Sequence, residues 1–387
     1  NNIFIENDSS DFLEYAAYFH PNFIYHFGAC TNQTVGCNLV LNPGFSENIF
    51  QPFNWGGILH GDCCNWSSPT PGTPDYFHQD GNSQFNAPTQ ILNASATAFQ
   101  PDHGIYGGGI NAYAGLCAFV MPIQDGREYL QGNLATGLAN QQYYGEFYAN
   151  LFDMSWHNCN RLGMFVSQNA PSATVYGLLS GINPQIEHDP ATNISSSTNW
   201  TLVNGCFTAN GGENFVTIGN FYNDANTAHS PVPTIPPFQF EVAHYLIDDV
   251  SVLPIEVSAG PDVTISCTGT TQLGGSNCLE SLNPGQFTYS WSLVSGSTAF
   301  GSLSSSSVQF PTFTANNTSP TAQTMVYQVQ ISTPGGCTAI DQVSITVNSC
   351  CSIGTISLTT SPTSVLCTGQ NLTINSSISG GTTPYTY

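Results

Sequence analysis

The chain has 387 residues, and its 24 acidic side chains face only two strong cations, Arg127 and Arg161, for a net charge of −22. Binding to a nucleic-acid backbone needs several Lys or Arg side chains to displace counterions, and attachment to anionic lipid needs a basic patch, so both partners are excluded. With 40% hydrophobic and 12% aromatic residues, the sequence is too apolar for a disordered polyanion and reads as a folded protein.

In chain order, residues 1–37 form an aromatic-rich segment, with Phe12, Tyr15, Tyr18, Phe19, Phe23, Tyr25 and Phe27 close together. Such a stretch either packs on the neighbouring domain or contacts another protein, a second copy included. Cys30 and Cys37 are expected to close a tight loop behind it. Residues 38–254 carry short alternating stretches between turn clusters, for example Phe215-Val216-Thr217-Ile218 before Gly219-Asn220. Sustained helical periodicity is scarce, so β structure dominates.

A composition shift marks a boundary near Pro254. All nine histidines precede residue 245, and only Glu256, Asp262, Glu280 and Asp341 represent the acids beyond residue 250. In residues 255–349 the alternation is clean. Phe287, Tyr289, Trp291 and Leu293 share one strand face, as do Tyr327, Val329 and Ile331, and Val343, Ile345 and Val347. Strands at this spacing predict an Ig-like β-sandwich. Trp291 lies between Cys267 and Cys337, two further disulfide candidates. Cys267-Thr268-Gly269 recurs as Cys367-Thr368-Gly369, so residues 350–387 read as the beginning of another repeat.

Thirteen cysteines without a zinc-type pair of CxxC motifs favour disulfides in an oxidising compartment. No run approaches the 18 apolar residues of a membrane span. The chain opens on Asn1-Asn2-Ile3 without a signal peptide, which reads as a secreted or cell-surface product already processed. GxSxG, HExxH and phosphate-loop motifs are absent, and there is no lysine for a Schiff base, so no catalytic site and no organic cofactor are expected. Turn-rich segments hold Trp55, Trp66, Tyr76, His78, Trp156 and His157, where aromatic faces meet sugar C–H surfaces in carbohydrate sites. Burial in the core is the competing fate of each. Arg127 and Arg161 are expected to pair with nearby carboxylates, Glu128 or Asp153 among them.

Several segments together resemble a known family. Leu39-Val40-Leu41-Asn42-Pro43-Gly44-Phe45, Gly72–Phe77, Arg127–Gly132, Trp200–Val203, Gly211–Phe221 and Tyr245–Val252 resemble, in this order, the jelly-roll domain of type IX-secreted surface proteins of Bacteroidota. The same segments are similar to galactose-binding-like carbohydrate modules. Residues 259–348 resemble a PKD-like domain of the same exported proteins, and Ser379–Tyr387 is similar to the start of repeats in gliding-motility adhesins. The resemblance implies an all-β protein, a jelly-roll sandwich followed by Ig-like sandwiches, acting as a non-catalytic adhesin. Its partner would be a glycan or a cell-surface protein. Self-assembly into a filament or surface layer, through residues 1–37 and the sandwich edges, is the alternative. The resemblance also implies a structural Ca²⁺ between Phe45 and Glu47 on one side and Asp248 and Asp249 on the other. Ser46 stands where the family has its acid, and oxygen ligands are the chemistry that ion requires.

Overall fold

The computed structural model describes residues 30–82, 85–87, 102–153, 155–232, 241–279, 287–350, 355–361 and 373–379. The aromatic segment of residues 1–29, and with it the proposed self-assembly element, lies outside the described residues. What is described is all-β apart from a short helix, Gly57–His60, and two single 3₁₀ turns.

The first unit runs to Ile255 and also takes in Cys278, Leu279 and residues 334–337; the second holds the remaining described residues from Glu256 onward. Twelve strands of the first unit are β1 (Trp66–Ser67), β2 (Asp75–His78), β3 (Ala112–Met121), β4 (Tyr129–Asn133), β5 (Gln142–Leu151), β6 (His157–Cys159), β7 (Leu162–Ser167), β8 (Ile186–Glu187), β9 (Thr201–Thr208), β10 (Phe215–Asn220), β11 (His229–Pro231) and β12 (Glu241–Pro254). They form two antiparallel five-stranded sheets, ordered β1-β4-β10-β7-β8 and β2-β3-β12-β5-β9, with β6 and β11 paired separately. The chain changes sheet at most connections, and one hydrophobic core joins both. Ala114, Leu116, Phe147, Tyr245 and Ile247 come from one sheet, and Leu130, Met164, Val216 and Ile218 from the other. This is a jelly-roll sandwich.

Strand alternation sets which residues leave that core. On β3, Ala112, Ala114, Leu116 and Ala118 face inward, so Tyr113, Gly115 and Cys117 face outward. On β12, Ala243, Tyr245 and Ile247 are inward. A register shift between Asp248 and Ser251 then moves the inward set to Val250 and Val252. Such a bulge re-aims side chains without ending the strand. Here it releases Asp249, at φ +48, from the ladder. The outward face is itself covered, by Phe77, Phe85, Tyr113, Phe152 and Leu246.

The second unit is a smaller sandwich. Strands β13 (Val263–Ile265), β15 (Thr288–Ser295), β18 (Gln323–Ser332) and β19 (Thr338–Val347) form a sheet ordered β13-β19-β18-β15. Strands β14 (Thr270–Gln272), β16 (Gly301–Leu303) and β17 (Thr312–Ala315) form the other. Each alternating stretch in the sequence becomes one of these strands: Trp291 lies opposite Val329, and Tyr327 opposite Val343, all buried. Beyond residue 350, β20 (Thr355–Ser361) and β21 (Thr373–Ser379) pair antiparallel.

The cysteine pairing corrects one expectation. Cys30 and Cys37 are both oxidised, but to different partners: Cys30 to Cys64 and Cys37 to Cys278. Thr31 donates through its amide and hydroxyl to Glu47, while the Cys64 amide donates to the Glu47 carbonyl. Residue 30 is thereby laid beside residue 64 and away from residue 37. Cys267 pairs with Cys350 and Cys337 with Cys206. Cys63, Cys117 and Cys159 keep free thiols. The four disulfides among the described residues are consistent with an oxidising compartment, and no helix among those residues is long and apolar enough to cross a membrane.

Candidate functional site

A cavity of about 410 Å³ opens on the outward face of the β2-β3-β12 sheet. Asp75 on β2 pairs in register with Gly115 on β3, and Cys117 on β3 with His244 on β12. Outward residues of three neighbouring strands therefore converge. Glu128, at the entry to β4, enters from the side, and Trp55, Phe152, Tyr176 and Val242 complete most of the wall.

Both carboxylates are held by backbone amides. Asp75 accepts from the Gly56 amide at 2.9 Å. Glu128 accepts from the Thr73 amide and hydroxyl and from the Cys117 amide, at 2.9, 3.1 and 2.9 Å. The His244 ring packs edge-on against Phe152 at 4.9 Å between centroids, with Nε2 at 3.6 Å from Asp75 Oδ2. That nitrogen is buried and has no hydrogen-bond partner.

Burial dominates the electrostatics. It raises the Asp75 carboxyl well above the usual range, and the charge of neighbouring Glu128 raises it further. Burial also raises Glu128, with the amides of Cys117 and Thr73 pulling the other way. The Cys117 thiol is pushed up by burial and by both carboxylates, and His244 is pushed down to about 4 by burial alone. All four groups are driven toward their uncharged forms.

Of the six expected ligand contacts, Trp55 lines this cavity. It is 42% exposed, and its ring edge rests on Phe85 at 5.0 Å. Trp66 is in the sandwich core, its ring tilted against Phe45 at 4.6 Å between centroids, with its indole N–H donating to the Asn42 carbonyl. Tyr76 is also core, its hydroxyl donating to the Phe45 carbonyl. His78 is buried beside Asp80, with 3.6 Å between Nδ1 and Oδ2. Half-buried Trp156 and His157 belong to the β6 region, where His157 approaches His229 and Glu241. Asp75 and His244 were not singled out from sequence, and Glu128 was named there only as a partner for an arginine. The available signal was a polar residue interrupting an apolar strand, as His244 does between Ala243 and Tyr245.

The four residues expected to hold calcium spend their oxygens on protein donors. Asp249 accepts from the amides of Ile105 and Tyr106 and contacts His103 Nδ1 at 2.6 Å. Asp248 accepts from the amides of His103 and Asp249. The Phe45 carbonyl takes the Tyr76 hydroxyl, and the Glu47 carboxylate takes Thr31. These residues form a clasp on the 102–110 loop and do not fit a calcium cage. Among the described residues no group of three or more His, Cys, Asp or Glu is arranged to hold a metal ion.

The arginine expectation also needs correction. Arg127, fully buried, pairs with Asp224 at 2.9 Å, and Arg161 pairs with Glu187 at 2.7 Å. Glu128 is instead turned into the cavity, where it takes the amides already named.

No family model and no curated protein matches the chain. Among solved structures it is similar to the PKD domain from KIAA 1837 protein, at 20% identity over 24% of this chain and 87% of that one, TM-score 0.20. It is similar also to the adhesin domain of Epf from Streptococcus pyogenes, at 11% identity over 81% of this chain and 98% of that one, TM-score 0.25. A third is the enzymatically active domain of tailspike protein 4 from bacteriophage CBA120, at 12% identity over 57% of this chain and 22% of that one, TM-score 0.26. At these scores the likenesses carry nothing about function, and the sandwich assignment rests on the strand pairing above.

Proposed function

We propose that the protein is an extracellular, adhesin-like surface protein whose jelly-roll unit binds a glycan in the Trp55 cavity without transforming it, the Ig-like unit serving as stalk. The observation that carries this reading is the placement of a half-exposed indole beside a cavity whose two carboxylates are fixed by backbone amides. Aromatic faces take up sugar C–H surfaces, and a few preset polar groups orient the hydroxyls. Two further features agree. Four disulfides suit life outside the cell. Asp75, Glu128, Cys117 and His244 are all pushed toward uncharged forms, which for Cys117 disfavours the thiolate that a nucleophile requires.

A glycan array probed with the full chain and with Trp55→Ala tests the reading. Binding that is lost in Trp55→Ala, at an unchanged melting temperature, supports it. An array on which the wild-type chain binds no sugar overturns it.

A further inference from the structure

The cavity combines two buried carboxyl groups with no cation of its own. The sequence holds two strong cations in all, and both are committed elsewhere. The Arg127 guanidinium is taken by Asp224 and the carbonyls of Gly126 and Tyr222. Arg161 is taken by Glu187, under the Tyr222 ring. Burial therefore favours the protonated forms of Asp75 and Glu128, against the pull of the amides that hold them.

A second, independent feature lies in the same wall. His244 is 5% exposed, its Nε2 has no hydrogen-bond partner, and it lines the cavity 3.6 Å from Asp75 Oδ2. A buried polar atom left unpaired costs about 1–3 kcal/mol, and in the tautomer that leaves Nε2 without hydrogen a ligand donor recovers it. The remaining wall is aromatic and aliphatic, and the faces of Trp55 and Phe152 attract a cation. The titratable groups facing the space are Asp75 from β2, Cys117 from β3, Glu128 from the entry to β4, His244 from β12 and Tyr176 from its loop. All are acceptors or weak acids; none supplies positive charge.

A primary ammonium has three donors and one charge, matching two carboxyls and one imidazole nitrogen. A bare metal ion is disfavoured, because no metal-holding group of three is present among the described residues. The volume of about 410 Å³ falls within the range of about 300–1,000 Å³ typical of small-molecule sites. We infer that the cavity selects ligands carrying a protonated primary amine, which on the glycan reading above means an amino sugar with its amine free, the ammonium held by Asp75, Glu128 and His244 and the ring by Trp55. The ammonium takes over the role of the retained proton, so binding releases protons to the buffer.

Titration calorimetry of the full chain at neutral pH tests this with four probes: a glucosamine oligomer, its fully N-acetylated counterpart, a β-1,4-glucose oligomer of equal length, and cyclohexylamine. The expected result is at least about tenfold tighter binding of the free amine than of the acetylated sugar, with a binding heat that changes with the buffer's ionisation enthalpy. Asp75→Asn, which keeps the shape of the side chain, is expected to abolish the preference for the free amine. Equal affinity for the free and acetylated sugars overturns the amine inference and leaves glycan binding standing. Binding of cyclohexylamine with no sugar bound supports the amine inference and counts against the glycan reading; silence from all four overturns the amine inference, and the array decides the glycan reading. The wild-type ratio alone decides the matter if the variant fails to fold.

Discussion

Gly115 and His244 meet across two adjacent strands so closely that a Cβ at position 115 would lie 2.5 Å from His244 Nε2. The bare backbone at residue 115 makes room for the imidazole to reach toward Asp75, which is the register partner of Gly115 on the other side. Gly115→Ala is therefore expected to push the ring out of place and partly fill the cavity. A destabilisation of about 1–3 kcal/mol, typical of overpacking, is expected by urea denaturation, together with loss of ligand binding. Unchanged stability would mean that the ring moves freely and that Asp75 and His244 do not form a fixed pair.

Trp55 and Trp66 separate binding from folding. Trp55→Ala removes a 42% exposed ring and is expected to change stability by no more than about 0.5 kcal/mol. Trp66→Ala opens the core, because the ring covers Gly132, whose Cβ would sit 2.8 Å away. A loss of about 3–5 kcal/mol is expected there. Calorimetric melting of the two variants side by side checks both values.

Stability is expected to fall as pH rises from about 5 to about 8. Asp62 is pushed up to about 7 by burial, and Asp102 to about 6 by burial and then by Asp249. Asp75, Asp248 and Glu128 move the same way. In the unfolded chain these acids lose their protons near pH ~4. A raised folded pKa therefore contributes stability that is full below that point and is lost as pH climbs through the folded value. His244, pushed down to about 4, acts in the opposite sense and limits stability on the acid side. Asp62→Asn separates this effect from general repulsion at −22. It is expected to raise the melting temperature by about 2–4 °C at pH 8 and to change little at pH 5. A melting temperature that climbs with pH in the wild-type chain would refute the assignment.

Arg127 is fully buried, whereas its partner Asp224 keeps a third of its side chain exposed. Asp224→Asn leaves the guanidinium with neutral acceptors only, the Gly126 and Tyr222 carbonyls and the Thr227 hydroxyl among them. The expected cost is about 2–3 kcal/mol, below the usual value for a wholly buried pair because water reaches one side. Urea midpoints at low and high salt measure it, and a variant within 0.5 kcal/mol of wild type, about the noise of a surface change, would show the pair to be incidental.

How much the sequence revealed depended on whether the signal was local. The alternation at Tyr289-Trp291, Tyr327-Val329 and Val343-Ile345 defines strands because every second residue is large and apolar, and period two has no other economical explanation. Disulfide connectivity is not local: Cys37 reaches Cys278 across 241 positions, and no spacing rule contains that. The candidate site is distributed in the same way. Asp75, Cys117, Glu128 and His244 belong to four strands or their entries, and only the pairing register brings them together. Trp55 and Trp66 sit in similar turn-rich surroundings, and burial alone divides the ligand contact from the core residue. Asp248 and Asp249 resemble metal ligands in sequence, but the bulge in β12 hands their oxygens to the amides of a loop more than 140 residues earlier.

Both guanidinium groups are neutralised inside the fold by the protein's own carboxylates, so neighbouring molecules have little to offer one another but negative charge. Their mutual repulsion reaches about 10 Å in 0.1 M salt and about 3 Å in 1 M. A coat built from such molecules would stand open in dilute water and settle into a denser layer in brine, its thickness governed by dissolved ions.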